Sequence, residues 1–339
     1  MPAHIGRPIV SLMRDLRQLP KAHLHVHLES TVRWSTLAEF GAANGVDVPS
    51  HRDGEAMDFA DFRQFADYNA LVRDCLRRPE DFRRVAREFC EDEAAQGTQY
   101  AEVTFTAASH GERLGDLEMP LATVLEGLAD GQRLTGLECQ VILDHSRRRS
   151  VQRCRETLWL AEKYAGVVAI GVAGEESYPL EPFAAVLEDA REAGIHLVHH
   201  AGEAEGAGSI REAIDRGHTE RLGHGIRVLD DNELVARVRD SQLALEVCSS
   251  SNVALGFAKS YADHPLPRLV DAGLTVTLNT DIPNVLGITL TDEFSRVREI
   301  FGYDDETLAG FSRAAVDASF APASTRTRLH QQITSWLAT

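Results

Sequence analysis

Histidines recur at alternate positions near the start of the chain. The stretch AHLHVHL, residues 22–28, carries His23, His25 and His27. Alternate side chains of a β-strand point to the same face of its sheet, so a strand here would present all three imidazoles on one side. His25 and His27 lie nearest its carboxyl end and predict a metal site. His23 lies one layer deeper, and we expect it to be a core histidine.

A second group of polar residues follows another apolar run. The sequence HHAGE, residues 199–203, contains two adjacent histidines and a glutamate. Adjacent strand residues face opposite sides, so only one of the two histidines can point inward. His200 is the better candidate, because Glu203 then follows after a turn and can face the same cavity.

Two further candidates complete the set. His224 stands between two glycines that permit the close approach of a ligand, and Asp281 ends an alternating run. Three of these four histidines with the one carboxylate would form a nitrogen and oxygen ligand set that suits Zn²⁺ and leaves room for a water molecule. A bound zinc ion would lower the pKa of that water toward roughly 7.

These side chains need a scaffold that brings distant segments together. The chain alternates short apolar, β-branched runs with longer helical patterns, and each candidate falls at the carboxyl end of a predicted strand. That alternation predicts a single α/β (β/α)₈ TIM barrel, whose active sites lie at this end. A doubly wound open sheet is the alternative, but no G-x-G-x-x-G turn is present. The predicted strands are residues 22–28, 100–106, 139–145, 167–172, 195–200, 220–225, 243–248 and 274–280.

One connection is longer than a crossover helix requires. No linker divides the chain, so residues 1–339 are predicted to form one domain, with residues 30–99 as a helical insertion after the first strand. Residues 59–75 have helical spacing and contain Phe62 and Phe65. This helix either packs on the barrel or forms a lid over its mouth, in which case both phenylalanines would contact substrate.

The composition excludes several classes of partner. The chain has 339 residues, is 43% hydrophobic and has a net charge of −17, which argues against binding to nucleic acid or an anionic membrane surface. No signal peptide and no 18-residue apolar window is evident. Five scattered cysteines predict no disulfide framework, so the expected location is the cytoplasm. The expected partner is a small molecule, and the sequence leaves the oligomeric state open.

The candidates occur within an ordered series of motifs that resembles the adenosine deaminase branch of the metal-dependent amidohydrolases. The resemblance covers nearly the whole chain. The matching blocks are LPKAHLHVHLE (19–29), YAEVTFT (100–106), GVAGEE (171–176), HHAGE (199–203), RLGHGIRVLDD (221–231), LEVCSSSN (245–252) and TLNTDIP (277–283).

The resemblance implies a role for each matching residue. His25, His27, His200 and Asp281 would bind one zinc ion per chain. Glu203 would protonate the ring nitrogen beside the carbon under attack, and His224, assisted by Asp281, would orient and help deprotonate the water. The backbone at Gly174 would meet another ring nitrogen, and Glu29 is a further predicted substrate contact.

Two other kinds of metal site occur in related hydrolases and deaminases, and the sequence fits neither. A two-metal site would need a carbamylated lysine on the fourth strand, but none of Lys21, Lys163 and Lys259 lies there. The other zinc deaminase class has an H-x-E motif followed by P-C-x-x-C. His110-Gly111-Glu112 fits the first half, but no P-C-x-x-C follows, so we interpret it as coincidence.

The chain departs from the family pattern at four positions. Ser30 replaces a usual glycine, Thr104 a usual arginine and His23 a common glutamate. Ile282 replaces an aspartate that hydrogen-bonds the five-membered ring of the purine, and a side chain without polar atoms cannot form that bond.

These features predict a zinc-dependent hydrolase of C–N bonds that deaminates a 6-aminopurine nucleoside or base, with adenosine the leading candidate. Alternatives are a modified adenosine such as aminodeoxyfutalosine, another amino-heterocycle, an amide or ester, and a catalytically silent barrel that binds a nucleoside.

Overall fold

Eight parallel strands form one sheet in the computed structural model, which describes residues 13–57, 59 and 62–339, without the side chains of Phe62, Arg63 and Ala66. Each strand pairs with the next one in sequence order. The strands are β1 (Lys21–His23), β2 (Thr98–Phe105), β3 (Glu138–Ser146), β4 (Val167–Ala173), β5 (His196–Ala201), β6 (Arg221–His224), β7 (Ala244–Val247) and β8 (Val276–Leu278). This order confirms the predicted (β/α)₈ TIM barrel.

The seam between the last and first strands is irregular. Val26 forms an isolated parallel bridge with Asp281. The side-chain Oδ1 of Asn279 accepts hydrogen bonds of 2.9 and 3.1 Å from the backbone N–H groups of Leu24 and His25. A side chain thus replaces backbone acceptors here, so β1 and β8 are shorter than the predicted runs 22–28 and 274–280.

Helices surround the barrel between the strands. They are α1 (Trp34–Asn44), α2 (Phe62–Cys75), α3 (Pro79–Ala95), α4 (Ala107–Leu114), α5 (Met119–Thr135), α6 (Val151–Lys163), α7 (Ala184–Glu192), α8 (Ala207–Asp215), α9 (Asn232–Asp240), α10 (Ser249–Ala254), α11 (Leu266–Asp271), α12 (Pro283–Leu286), α13 (Leu290–Phe301), α14 (Asp305–Ala318) and α15 (Ala323–Ala338). Short 3₁₀ helices cover Leu28–Thr31, Glu181–Phe183 and Ile226–Asp230. The insertion after β1 contains α1, α2 and α3.

Local sequence explains where individual helices begin and end. The helix α13 follows a capping box, in which Thr289 accepts from the backbone N–H of Asp292 and the Asp292 side chain accepts from that of Thr289. It ends at Gly302, whose φ of 70° favours glycine. Among the described residues, no helix has the length and apolar character that crossing a bilayer requires.

Candidate active site

A cavity of about 620 Å³ opens at the carboxyl ends of the strands. Most residues predicted from the sequence to act in catalysis or binding line it. They are His27, Glu29, Phe65, Gly174, His200, Glu203, His224, Asp281 and Ile282. His25 lies beneath the cavity floor and lines a much smaller void there. The side chain of Phe62 lies outside the described residues.

Three imidazoles and a carboxylate converge at the cavity floor. His27 Nε2 lies 3.2 Å from His200 Nε2 and 3.3 Å from Asp281 Oδ1, and His25 Nε2 lies 3.6 Å from the same Asp281 oxygen. Ligands bound about 2.0–2.2 Å from a tetrahedral zinc ion lie about 3.3–3.6 Å apart. His25 Nε2 is buried without a hydrogen-bond partner. Both the spacing and the unpaired nitrogen fit a bound divalent cation.

His224 lies close enough to join this group. Within the described part of the chain, ligand atoms of His25, His200, His224 and Asp281 lie within 4.8 Å of one another. The geometry therefore permits His224 either to bind a metal or to act on the water beside it.

A buried charge network orients His25 from below. His25 Nδ1 donates to Glu246 Oε2 at 2.8 Å, which leaves Nε2, 3.6 Å from Asp281 Oδ1, as the ring nitrogen that could bind a metal. Arg221 donates from Nε to Glu246 Oε1 at 2.6 Å and from Nη2 to Glu102 Oε2 at 2.6 Å. This network lies inside the barrel and joins β1, β2, β6 and β7.

Two site residues have backbone conformations that are rare for residues other than glycine. His224 has a φ of 64° and Asp281 a φ of 63°. Such conformations persist where the surroundings hold them in place. The backbone N–H of Asp281 donates to the His25 carbonyl at 3.0 Å, and its own carbonyl accepts from the His27 N–H at 2.9 Å. Ser251 Oγ donates to Asp281 Oδ2 at 2.5 Å. These contacts fix the direction of the Asp281 carboxylate.

Glu203 faces His224 across the cavity floor. Its Oε1 lies 3.4 Å from His224 Nε2. Burial, with the negative charges of Asp281 and Glu176 nearby, raises the pKa of Glu203 well above its ordinary value. Burial and the charge of His25 lower the pKa of His224 to about 3. These shifts favour the protonated form of the carboxylic acid and the neutral form of the imidazole.

An amide orients this pair. Asn252 Nδ2 donates to Glu203 Oε1 at 3.2 Å and lies 3.3 Å from His224 Nδ1. His264 determines which way the amide faces. Its Nδ1 accepts from the backbone N–H of Leu266, so its Nε2 carries the proton and donates to Asn252 Oδ1 at 3.2 Å.

Glu29 is held by residues at the start of α4. Its Oε1 accepts from the backbone N–H of Thr106 at 3.1 Å, from the Thr106 hydroxyl, and from His110 Nε2 at 3.2 Å. His110, from the H-x-E motif that we interpret as coincidence, thus supports Glu29 together with Thr106.

Other predicted residues are turned away from the cavity. His199 bonds the Gly217 carbonyl at 2.8 Å through Nε2. His23 lies 3.1 Å from Glu93 Oε1 and bonds Thr280 Oγ1 at 3.0 Å, so it belongs to the core.

One wall of the cavity is apolar. Ile282, with 1% of its surface exposed, lines the cavity together with Leu255 and Phe257. These residues come from the segments that follow β7 and β8. A heterocycle in the cavity meets no hydrogen-bonding side chain from Ile282.

Several supporting residues were not assigned a role from the sequence. Ser251, Asn252 and Glu246 lie in the block LEVCSSSN, and Glu176 lies in GVAGEE, so the matching blocks were the available signal. Asp144 and His110 lie in neither block, and only their place in the fold brings them to the site.

The chain is similar to known deaminases over nearly its full length. The family model described as Adenosine deaminase matches residues 20–336. The adenine deaminase of Rhizobium leguminosarum bv. trifolii is 32% identical over 315 residues, covering 92% of this chain and 98% of the relative.

Solved structures agree with this similarity. The adenine deaminase of Arthrobacter aurescens superposes with a TM-score of 0.88 at 30% identity, covering 94% of this chain and 99% of that one. A zinc-bound amidohydrolase of Burkholderia ambifaria superposes with a TM-score of 0.85, covering 99% of this chain and 98% of that one, and at 23% identity shows the fold alone.

Proposed function

The chain belongs to the adenosine deaminase family and is a hydrolase of C–N bonds, and from that premise we propose that it is a zinc-dependent deaminase of a 6-aminopurine base or nucleoside. The reaction replaces the exocyclic amino group by oxygen from water and releases ammonia. One small-molecule substrate and one zinc ion per chain are the proposed ligands.

One observation carries this proposal. A carboxylic acid whose pKa is raised well above its ordinary value lies 3.4 Å from a neutral imidazole, beside a cluster of ligand-type atoms with zinc-like spacing. An amino-substituted ring carbon is a poor electrophile until the neighbouring ring nitrogen is protonated. A buried acid with a raised pKa can supply that proton.

Each residue then has a role that its surroundings support. His25, His27, His200 and Asp281 would hold the zinc ion, which when bound makes water nucleophilic at neutral pH. Glu203 would donate its proton to the ring nitrogen next to the reacting carbon. His224, which is neutral, would accept a proton from the attacking water. Glu29, Gly174, Phe65 and Phe62 are proposed substrate contacts.

The apolar side chain at position 282 indicates that the enzyme's substrate preference among aminopurines is altered. A polar ring atom that faces this buried apolar side chain loses its bond to water without gaining another, which costs about 1–3 kcal/mol. A substrate without an acceptor on that edge avoids the cost.

A screen for ammonia release tests the proposal. The zinc-loaded protein is assayed for ammonia with adenine, adenosine, 5′-substituted adenosines, aminopterins and cytosine derivatives, and for the released amine with N6-substituted purines. Turnover of a 6-aminopurine is the expected result. Turnover of an ester or lactam without ammonia release from any aminopurine would contradict it. A protein that binds nucleosides without turnover and holds well under one equivalent of zinc would be a silent barrel.

A further inference from the structure

One buried carboxylate at the cavity has no role in the proposed chemistry. Asp144 lies on β3, where its backbone pairs with Gly171 of β4. Only 8% of its side chain is exposed. It lines both the large cavity and the small void beneath it, together with His200.

This carboxylate lacks a satisfactory partner. Its Oδ1 is buried and has no hydrogen-bond partner among the described residues. The nearest basic group to Oδ2 is His27 Nδ1, at 3.9 Å, which is too long for a hydrogen bond. By contrast, the carboxylates of Glu246 and Glu29 each receive hydrogen bonds at 2.6–3.2 Å.

An unpaired buried carboxylate destabilises the folded protein. A contribution to stability therefore does not account for an aspartate at position 144. Asp144 lines the cavity, and a donor on a molecule there would give its Oδ2, which has no basic group of the described residues within hydrogen-bond distance, a partner. We infer that Asp144 is a substrate-recognition residue that accepts a hydrogen bond from a ring N–H of the bound heterocycle. This inference rests on the proposed function, because it narrows the substrate of the same cavity.

The position of Asp144 indicates which part of the substrate it meets. In the eight-stranded barrel, β3 lies opposite β7, and Leu255 and Phe257 belong to the segment after β7. A flat heterocycle between them has one edge toward Asp144 and the other toward the apolar wall. A 6-aminopurine base has one ring N–H, in its five-membered ring. Because a nucleoside carries a sugar carbon in place of that hydrogen at N9, the preferred substrate is a free base.

A comparison of variants and ligands tests this contact. The initial rates of the zinc-loaded wild type, Asp144→Asn and Asp144→Leu are measured with adenine and with 9-methyladenine, which lacks the ring N–H. Asp144→Leu is expected to lower kcat/KM for adenine by about 10–100-fold and to change the value for 9-methyladenine much less. The amide oxygen of Asp144→Asn still accepts a hydrogen bond, so its kcat/KM for adenine should lie between those of the wild type and Asp144→Leu. Equal losses on both compounds would overturn the inference.

Binding of the product separates this inference from the proposed function. Hypoxanthine retains the ring N–H and 9-methylhypoxanthine lacks it, so calorimetry on the zinc-loaded protein tests the contact without turnover. If no 6-aminopurine is deaminated, the proposed function fails, but a loss of about 10-fold or more in hypoxanthine affinity in Asp144→Leu still supports the Asp144 contact. No binding of hypoxanthine to the wild type would overturn it.

Thermal melting and metal content distinguish recognition from a structural role. Removing an unpaired buried carboxylate should leave the Tm unchanged or raise it, whereas loss of a structural contact would lower it. Asp47→Asn, at an exposed aspartate, is the matched control and should change neither rates nor Tm. A lower Tm in both Asp144 variants, or the loss of zinc from them, would assign Asp144 to folding or metal binding and overturn the inference.

Discussion

Glu176 holds the backbone of Glu203 directly. Its Oε1 accepts hydrogen bonds from the backbone N–H groups of Glu203 at 2.8 Å and Ala204 at 3.1 Å, and its Oε2 accepts from Gly202 at 2.8 Å. Only 7% of Glu176 is exposed. A single carboxylate from the loop after β4 therefore fixes the turn after β5 that carries the proposed acid.

We predict that Glu176→Gln lowers kcat for deamination about 10–100-fold with a smaller change in KM. The amide –NH₂ cannot accept a hydrogen bond, so at least one backbone N–H loses its partner and the Glu203 side chain loses its position. Steady-state rates with adenine measure this, and Glu192→Gln, at an exposed position in α7, is the control. A change in KM alone would argue against a positioning role.

Glu203→Gln should retain zinc but lose turnover by about 10²–10⁴-fold, because an amide cannot deliver the proton. Zinc content by elemental analysis and ammonia release on the same sample test both parts together. Substantial residual activity would show that another group protonates the ring.

Glu246→Gln should weaken zinc binding about 10–100-fold, because the carboxylate that accepts from His25 Nδ1 is lost. Competition with a chromogenic chelator measures the affinity without any substrate. Arg239→Gln, at an exposed residue of α9, serves as the control. Unchanged affinity would mean that Glu246 serves only to balance the charge of Arg221.

Ile282→Asp should raise kcat/KM for adenine relative to 7-deazaadenine, because the new carboxyl group, when protonated, can donate a hydrogen bond to the nitrogen that 7-deazaadenine lacks. The ratio of the two values in wild type and variant is the measurement, and Ile282→Val is the apolar control. An unchanged ratio would remove Ile282 as a determinant of specificity and leave the zinc chemistry unaffected.

The buried Lys21 should make the free energy of unfolding rise with pH in the alkaline range. Burial lowers the pKa of this amine from 10.5 to about 7, although Glu93 and Asp15 oppose the shift. The folded state thus binds fewer protons than the unfolded state between pH 7 and 10.5, so the free energy of unfolding rises with pH in that window. The full shift corresponds to at most about 5 kcal/mol.

Lys21→Met should flatten this rise, and urea unfolding of both proteins at pH 7 and 9.5 measures it. The variant also loses the hydrogen bonds that Lys21 Nζ donates to the Leu16 and Leu19 carbonyls. That loss lowers the free energy of unfolding by a similar amount at both pH values, so it does not affect the comparison of the two pH slopes. Parallel pH profiles would show that Lys21 is charged in the folded protein at pH 7.

Much of the architecture could be predicted because its signals are local. Alternating apolar runs and intervening helical patterns predict parallel strands with crossover helices, and the candidates fall at strand ends. The sequence prediction for His25, His27 and Asp281 rests on strand alternation, although all three lie just beyond the ends of β1 and β8. The predicted strand ends were less accurate around Leu24 and Asn279, where a side chain replaces the backbone ladder.

The sequence by itself therefore determined the fold class, the family and the chemical types at the site. Only the tertiary structure decided which atoms meet. His25 and Glu246 are 221 positions apart and touch because β1 and β7 both line the barrel interior. Glu176 reaches Glu203, and Asp144 Oδ1 is left without a hydrogen-bond partner in the described part of the chain, for the same reason. Hydrogen-bond distances depend on the register of strands far apart in the chain, and no local pattern of residues specifies that register.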